Sequence, residues 1–140
     1  MSLTFIHEFQ NRLYRLLSDD QEISSSVKKI YFGAVQDGIS PCLLITVIQA
    51  DDHSRHMESI YSVEFQISAY AKDHHYQLLT KLADRIITLF DKPQKTFSDY
   101  MIAGIKANNL QFEKAKDLVL NKLIINCRAL IKKEACNEFS

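Results

Sequence analysis

Glycine is scarce in this sequence. The 140 residues include only three glycines, at positions 33, 38 and 104, together with two prolines and no tryptophan. A loop that wraps a phosphate with its backbone amides needs glycines close together, so this scatter excludes a nucleotide-binding loop of that type. Long apolar runs are also absent. The longest spans residues 42–48, is broken by Thr46, and falls far short of the ~20 residues that cross a bilayer, which predicts no membrane partner.

An excess of charge of either sign is missing as well. Lys and Arg total 17, Asp and Glu total 17, and the formal net charge at pH 7 is zero. Without a net positive field, the sequence predicts no nucleic-acid binding by sequence-specific readout. A near-zero charge also removes long-range repulsion between copies, which weakly favours self-association.

Cysteine usage argues against a disulfide framework. The three cysteines, at positions 42, 127 and 136, are odd in number and lack metal-ligand spacing, which suits a reducing compartment. The first ten residues have neither the basic region nor the apolar core of a signal peptide. We therefore expect a cytoplasmic protein.

The hydrophobic periodicity predicts one α+β domain over residues 1–140. Apolar residues recur every three or four positions from Phe5 to Leu17, and again in a second helix that Asp73 caps and that stops before Pro93. The three serines at 24–26 suggest a short loop. Strands are predicted at about 27–32, 41–49, 61–70, 100–112 and 119–131. Short connections favour antiparallel pairing, so the order α-β-β-β-α-β-β predicts an antiparallel or mixed sheet of about five strands with both helices on one face.

Two local features are expected within this sheet. Residues 61–70 alternate strictly between apolar and polar, which places Phe65 at the centre of a buried strand face. Gly104 interrupts the fourth strand, and this indicates a bulge or bend.

The most polar internal segment, residues 51–59, is expected to be an interaction loop between two strands. The candidate site residues there are Asp51, Asp52, His53, Ser54, Arg55 and His56. Two histidines beside carboxylates are suitable ligands for a divalent metal, but no third distant ligand is indicated, and a solvated loop is the preferred interpretation. We therefore predict no metal site and no cofactor.

No catalytic constellation is visible elsewhere. The adjacent His74 and His75 would point about 100° apart on a helix and could not share a ligand. Cys127 falls on the apolar face of the last strand, where a thiol is inert. The sequence thus predicts no enzymatic activity.

An ordered set of blocks resembles a known family. Residues 27–33 (VKKIYFG) are followed by residues 41–45 (PCLLI), a polar acidic loop, and residues 61–70 (YSVEFQISAY), which lead directly into a helix. This pattern, over about residues 5–132, resembles the tail completion family of long-tailed phages, also called tail terminator-like proteins, found in phages, prophages and gene transfer agents.

The resemblance implies a structural protein that forms a ring, commonly of six subunits, at the head-proximal end of the tail tube. Its partners would be copies of itself, the tail tube and the head connector. A second interpretation is a small cytoplasmic binding or regulatory module of α+β type that contacts a ligand or partner through residues 51–59. A third is a metal-dependent enzyme that uses the same loop.

Overall fold

The computed structural model describes residues 4–33, 40–72, 76–93, 99–114 and 120–133. Within these ranges the chain forms three helices and five strands. In chain order they are α1 (Thr4–Ser18), α2 (Gln21–Ser26), β1 (Lys29–Phe32), β2 (Cys42–Asp52), β3 (Ser59–Lys72), α3 (Tyr76–Asp91), β4 (Tyr100–Lys114) and β5 (Leu120–Lys133). The α+β class and the five-stranded sheet are confirmed. The predicted helix cap Asp73 and the start of the last strand at 119 lie outside the described residues.

The sheet has the strand order β1-β2-β3-β5-β4. Strands β2, β3, β5 and β4 pair antiparallel, whereas β1 pairs parallel with β2. The parallel pair departs from the expectation that short connections give antiparallel neighbours. β1 has only four residues and is therefore roughly 13 Å long. A parallel β2 requires the chain to come back by about this distance before β2 begins. The connection from Gly33 to Pro41 is long enough to span that distance.

Helices α1 and α3 pack on one face of the sheet, as predicted. Each presents an apolar stripe to the strands, and Phe65 at the centre of β3 is 1% exposed. The Phe65 ring makes edge-on contacts with Phe9 of α1 and Phe90 of α3, with ring centroids 5.4 and 5.9 Å apart. The core is therefore a layer of side chains between two helices and the sheet.

Helix α2 was not predicted, and the serines assigned to a loop form its end. Asp20 caps the helix because its carboxylate accepts the backbone N–H of Ile23 at 3.1 Å. The Ser26 hydroxyl donates to the Glu22 carbonyl at 2.7 Å, and Ile23 is fully buried. Burial of one isoleucine and a good cap outweigh the low helix propensity of three serines.

Three irregularities modify the long strands. The bulge predicted at Gly104 is confirmed, because the register shifts between Ile102 and Gly104. A second shift in β4 lies between Ala107 and Asn109, and one in β2 lies between Val47 and Gln49. Each bulge adds local twist to its strand.

Candidate functional site

The predicted interaction loop is the tip of the β2–β3 hairpin. Asp51 and Asp52 belong to β2, so the segment between the strands comprises residues 53–58 and is shorter than expected. The Arg55 and Glu58 backbones exchange hydrogen bonds of 2.9 Å, and the His53 N–H donates to the Ile60 carbonyl at 2.8 Å. The tip is a hydrogen-bonded turn that extends the strand pairing.

Side chains near the tip are engaged with one another. Ser54 donates its backbone N–H to the Asp52 carboxylate at 2.8 Å, and hydrogen bonds from its side chain and backbone hold the Asp52 pKa below its ordinary value of 3.8. His53 Nε2 lies 2.9 Å from Ser62 Oγ. In the described part of the chain, which includes the whole tip, no group of three His, Cys, Asp or Glu side chains could hold a metal ion. The structure brings His53 to Ser62 of β3 and not to a ligand cluster.

The sheet face opposite the helices carries a polar network across three strands. Arg128 of β5 donates to Glu64 of β3 at 2.7 Å. Gln66 donates to the side-chain oxygen of Asn126 at 2.9 Å, and Asn126 donates in turn to Asn109 of β4 at 2.6 Å. These side chains hydrogen-bond to one another within the subunit and make this part of the sheet face polar.

A shallow concavity of about 250 Å³ lies over this network. Its lining includes Ile48 and Asn108, the extra residues of the β2 and β4 bulges. The sequence analysis did not single out the network. The alternation of β5, in which Asn126 and Arg128 interleave with buried residues, was the signal that could have found it.

Two of the three thiols are buried in the subunit. Cys42 and Cys127 are at most 2% exposed, and Cys127 Sγ donates to the Ile125 carbonyl at 3.7 Å. Burial raises the pKa of Cys42 to about 11 and that of Cys127 to about 12. The expected inertness of Cys127 agrees with its position. Cys136, His74 and His75 lie outside the described residues.

These pKa values predict slow thiol labelling. In a Cys136→Ser variant at pH 8, we expect a disulfide reagent to react with the native protein at least ~100-fold more slowly than with the unfolded protein. The reason is that an ordinary thiol has a pKa of ~8.5 and is partly ionised at pH 8, whereas a thiol with a pKa of about 11 is almost entirely protonated. Stopped-flow absorbance measures both rates, and a fast native phase would contradict the buried placement.

No helix in the described ranges combines the length and apolar composition needed to cross a membrane. No protein-family model matches the sequence, and no curated protein matches it significantly. Among solved structures, the fold is similar to that of a chain in the virion of a native gene transfer agent (GTA) particle. The TM-score is 0.77 at 13% sequence identity, and the match covers 94% of this chain and 99% of that chain.

Proposed function

We propose that this protein is a structural component of a phage-like particle, a tail completion protein that closes the head-proximal end of the tail tube and joins the tail to the head. The observation that carries the proposal is the similarity in fold to a chain of a GTA virion, which extends over nearly the whole of both chains. The sequence blocks described above resemble the tail completion family, and this resemblance supports the proposal independently of the fold.

In this role the subunits assemble into a closed ring, because head-to-tail contacts between identical subunits either close or produce filaments. The number of about six copies is the one that the family resemblance implies. The protein acts without catalysis and without a cofactor. Its partners are other copies, the tail tube and the head connector. It is cytoplasmic before assembly and virion-associated afterwards.

The hairpin tip is the surface that we assign to the tube or the connector. Residues 52–58 are all exposed, and Met57 at the turn is 83% exposed. An exposed turn carried on two long paired strands can reach a neighbouring protein while the sheet holds its base in place.

Hydrogen exchange tests that assignment. We expect amides of residues 53–58 to exchange rapidly in the isolated subunit, because the hydrogen bonds of the tip are exposed to water. In assembled tails they should exchange at least ~10-fold more slowly. Amides at 63–67 in β3, buried in both states, provide the internal control. Equal exchange of the tip in both states would contradict its role as a contact.

Electron microscopy and native mass spectrometry test the function itself. Purified protein mixed with its cognate tail tubes should occupy one end of each tube as a ring and stop further polymerisation. When the capped tube ends are dissociated, native mass spectrometry of the released protein should give the mass of a closed oligomer. Bare tube ends at saturating protein would reject the tail completion role.

A further inference from the structure

Apolar side chains are exposed at both edges of the sheet. On the β1 edge, Phe32 is 41% exposed and its ring lies 5.8 Å from that of Tyr14 of α1. On the β4 edge, Leu110 is 42% and Phe112 is 52% exposed. Side chains of this size are costly to leave in water, so exposed groups at two opposite edges point to a partner surface.

The strand register places these side chains at matching levels. Two rows of paired residues cross the whole sheet on the face that the helices cover. One row consists of Phe32, Ile45, Ile67, Ile125 and Leu110, and the other of Ile30, Leu43, Ala69, Leu123 and Phe112. The apolar residues of β1 and those of β4 therefore end the same rows at opposite edges.

Charge also matches between the two edges. The row that contains Lys29 on β1 ends at Glu113 on β4, by way of partners on β2, β3 and β5. Both side chains are exposed. Glu113 has a loose ion pair with Lys122 at 4.0 Å, which leaves its carboxylate able to accept a second cation.

The geometry of β4 restricts where another strand could pair. Its two bulges lie at or before Asn109, and bulges disfavour edge pairing because they twist the strand. From Asn109 to Lys114 the ladder is regular. Residues 110–113, which end the rows that start on β1, fall inside this regular stretch. In the described chain no further strand pairs with the outer side of β1 or β4.

We propose that the sheets of neighbouring copies join edge to edge, with β1 of one copy antiparallel to β4 of the next. The alternation of strand directions makes these two strands run in opposite senses. Phe32 then lies opposite Leu110, Ile30 opposite Phe112, and Lys29 opposite Glu113. This inference rests on the self-assembly in the proposed function and specifies the contact that produces it.

The contact is head-to-tail, because it uses a different edge of each copy. If the residue rows of one copy continue into the next copy at the same level, the two copies join without a shift along the strand direction. A contact of this kind can close into a ring, whereas a progressive shift gives an open helical filament.

Cross-linking between two variants that each carry one introduced cysteine tests the register. In a Cys136→Ser background, a mixture of Phe32→Cys and Leu110→Cys proteins, assembled with tail tubes and mildly oxidised, should give a disulfide-linked dimer. Opposite β-carbons in an antiparallel ladder are ~4.5–5.5 Å apart, close to disulfide range. Either variant alone should give none. The matched control pairs Phe32→Cys with Gln111→Cys, whose side chain faces the other side of the sheet. Equal cross-linking of the control would overturn the register.

Charge exchange is the second test. Lys29→Glu and Glu113→Lys should each lower the yield of assembled rings roughly tenfold, because each places like charges opposite one another. The double variant should restore assembly, while circular dichroism confirms that every variant is folded.

No recovery in the double variant, together with no cross-link, would reject the edge contact. Tube ends that are still capped in that case would leave the proposed function intact. Cross-linked rings that leave tube ends bare would retain the edge contact and reject the tail completion role.

Discussion

Phe65→Ala is expected to lower the free energy of unfolding by roughly 3–5 kcal/mol, the range for truncating a buried phenylalanine. Phe65 is 1% exposed and sits between α1 and α3, where its ring contacts Phe9 and Phe90. Removing the ring leaves a cavity that two helices and the sheet would all have to move to fill. Because this cavity lies where the layers meet, the structure can relax only partly around it.

Urea unfolding of the wild type and two controls measures the effect. Phe65→Leu keeps most of the volume and should cost less than about 1.5 kcal/mol. Phe112→Ala removes the same side chain from a position that is 52% exposed, and it should cost less than about 1 kcal/mol in the isolated subunit. If Phe65→Ala and Phe112→Ala were equally mild, the assignment of the buried face of β3 would be wrong.

Asp20→Ala is expected to lower the free energy of unfolding by roughly 2–3 kcal/mol at pH 7, because it removes a helix cap and a buried ion-pair partner together. Arg85 of α3 donates to Asp20 through Nη2 at 2.6 Å and through Nε at 3.1 Å. The Asp20 side chain is 8% exposed. The contact ties α3 to the start of α2, so its loss affects two helices.

The pH dependence of this contact has a defined sign. The hydrogen bond from Arg85, helped by the N–H of Ile23, lowers the pKa of Asp20 below 3.8, although burial opposes the shift. The ionised carboxylate is therefore favoured in the folded state. Its contribution is complete above pH ~4 and disappears as the pH falls through the folded pKa.

Asp20→Asn separates the charge from the cap, because asparagine is also a good capping residue. The difference in unfolding free energy between wild type and Asp20→Asn should be largest at pH 7 and should shrink below pH ~4. Glu22→Gln is the matched control: Glu22 lies 3.5 Å from Arg85, but its side chain is 71% exposed, so its removal should cost less than about 0.5 kcal/mol. A difference for Asp20→Asn that stays constant from pH 7 to pH 2 would contradict the ion pair as its source.

Local residue patterns were sufficient to predict the elements with strong periodicity. The strict alternation around Phe65 predicted the buried face of β3, and the apolar stripes predicted α1 and α3 on one side of the sheet. Gly104 marked a bulge correctly. These features follow from local patterns, because the period of a strand or a helix fixes which side chains share a face.

Of the polar loop predicted at residues 51–59, only residues 53–58 lie between the two strands, because the extent of the strands was not predicted. Asp51 and Asp52 belong to β2 because their partners in β3, Ser62 and Tyr61, continue the ladder past the apolar run. Backbone pairing with a neighbour sets the end of a strand, and polar composition alone does not reveal it.

The order of the strands, the parallel pairing of β1 with β2 and the existence of α2 could not be predicted from local patterns. Each depends on partners far along the chain: β3 lies beside β5, and Asp20 meets Arg85 across 65 positions of sequence. The matching rows that end at Phe32 and Leu110 arise in the same way, from four successive strand pairings. Residue patterns specify which face of an element is buried, whereas packing between distant elements sets the register of the strands. The matching positions of Phe32 and Leu110 at the two edges of the sheet therefore follow from packing and not from local patterns.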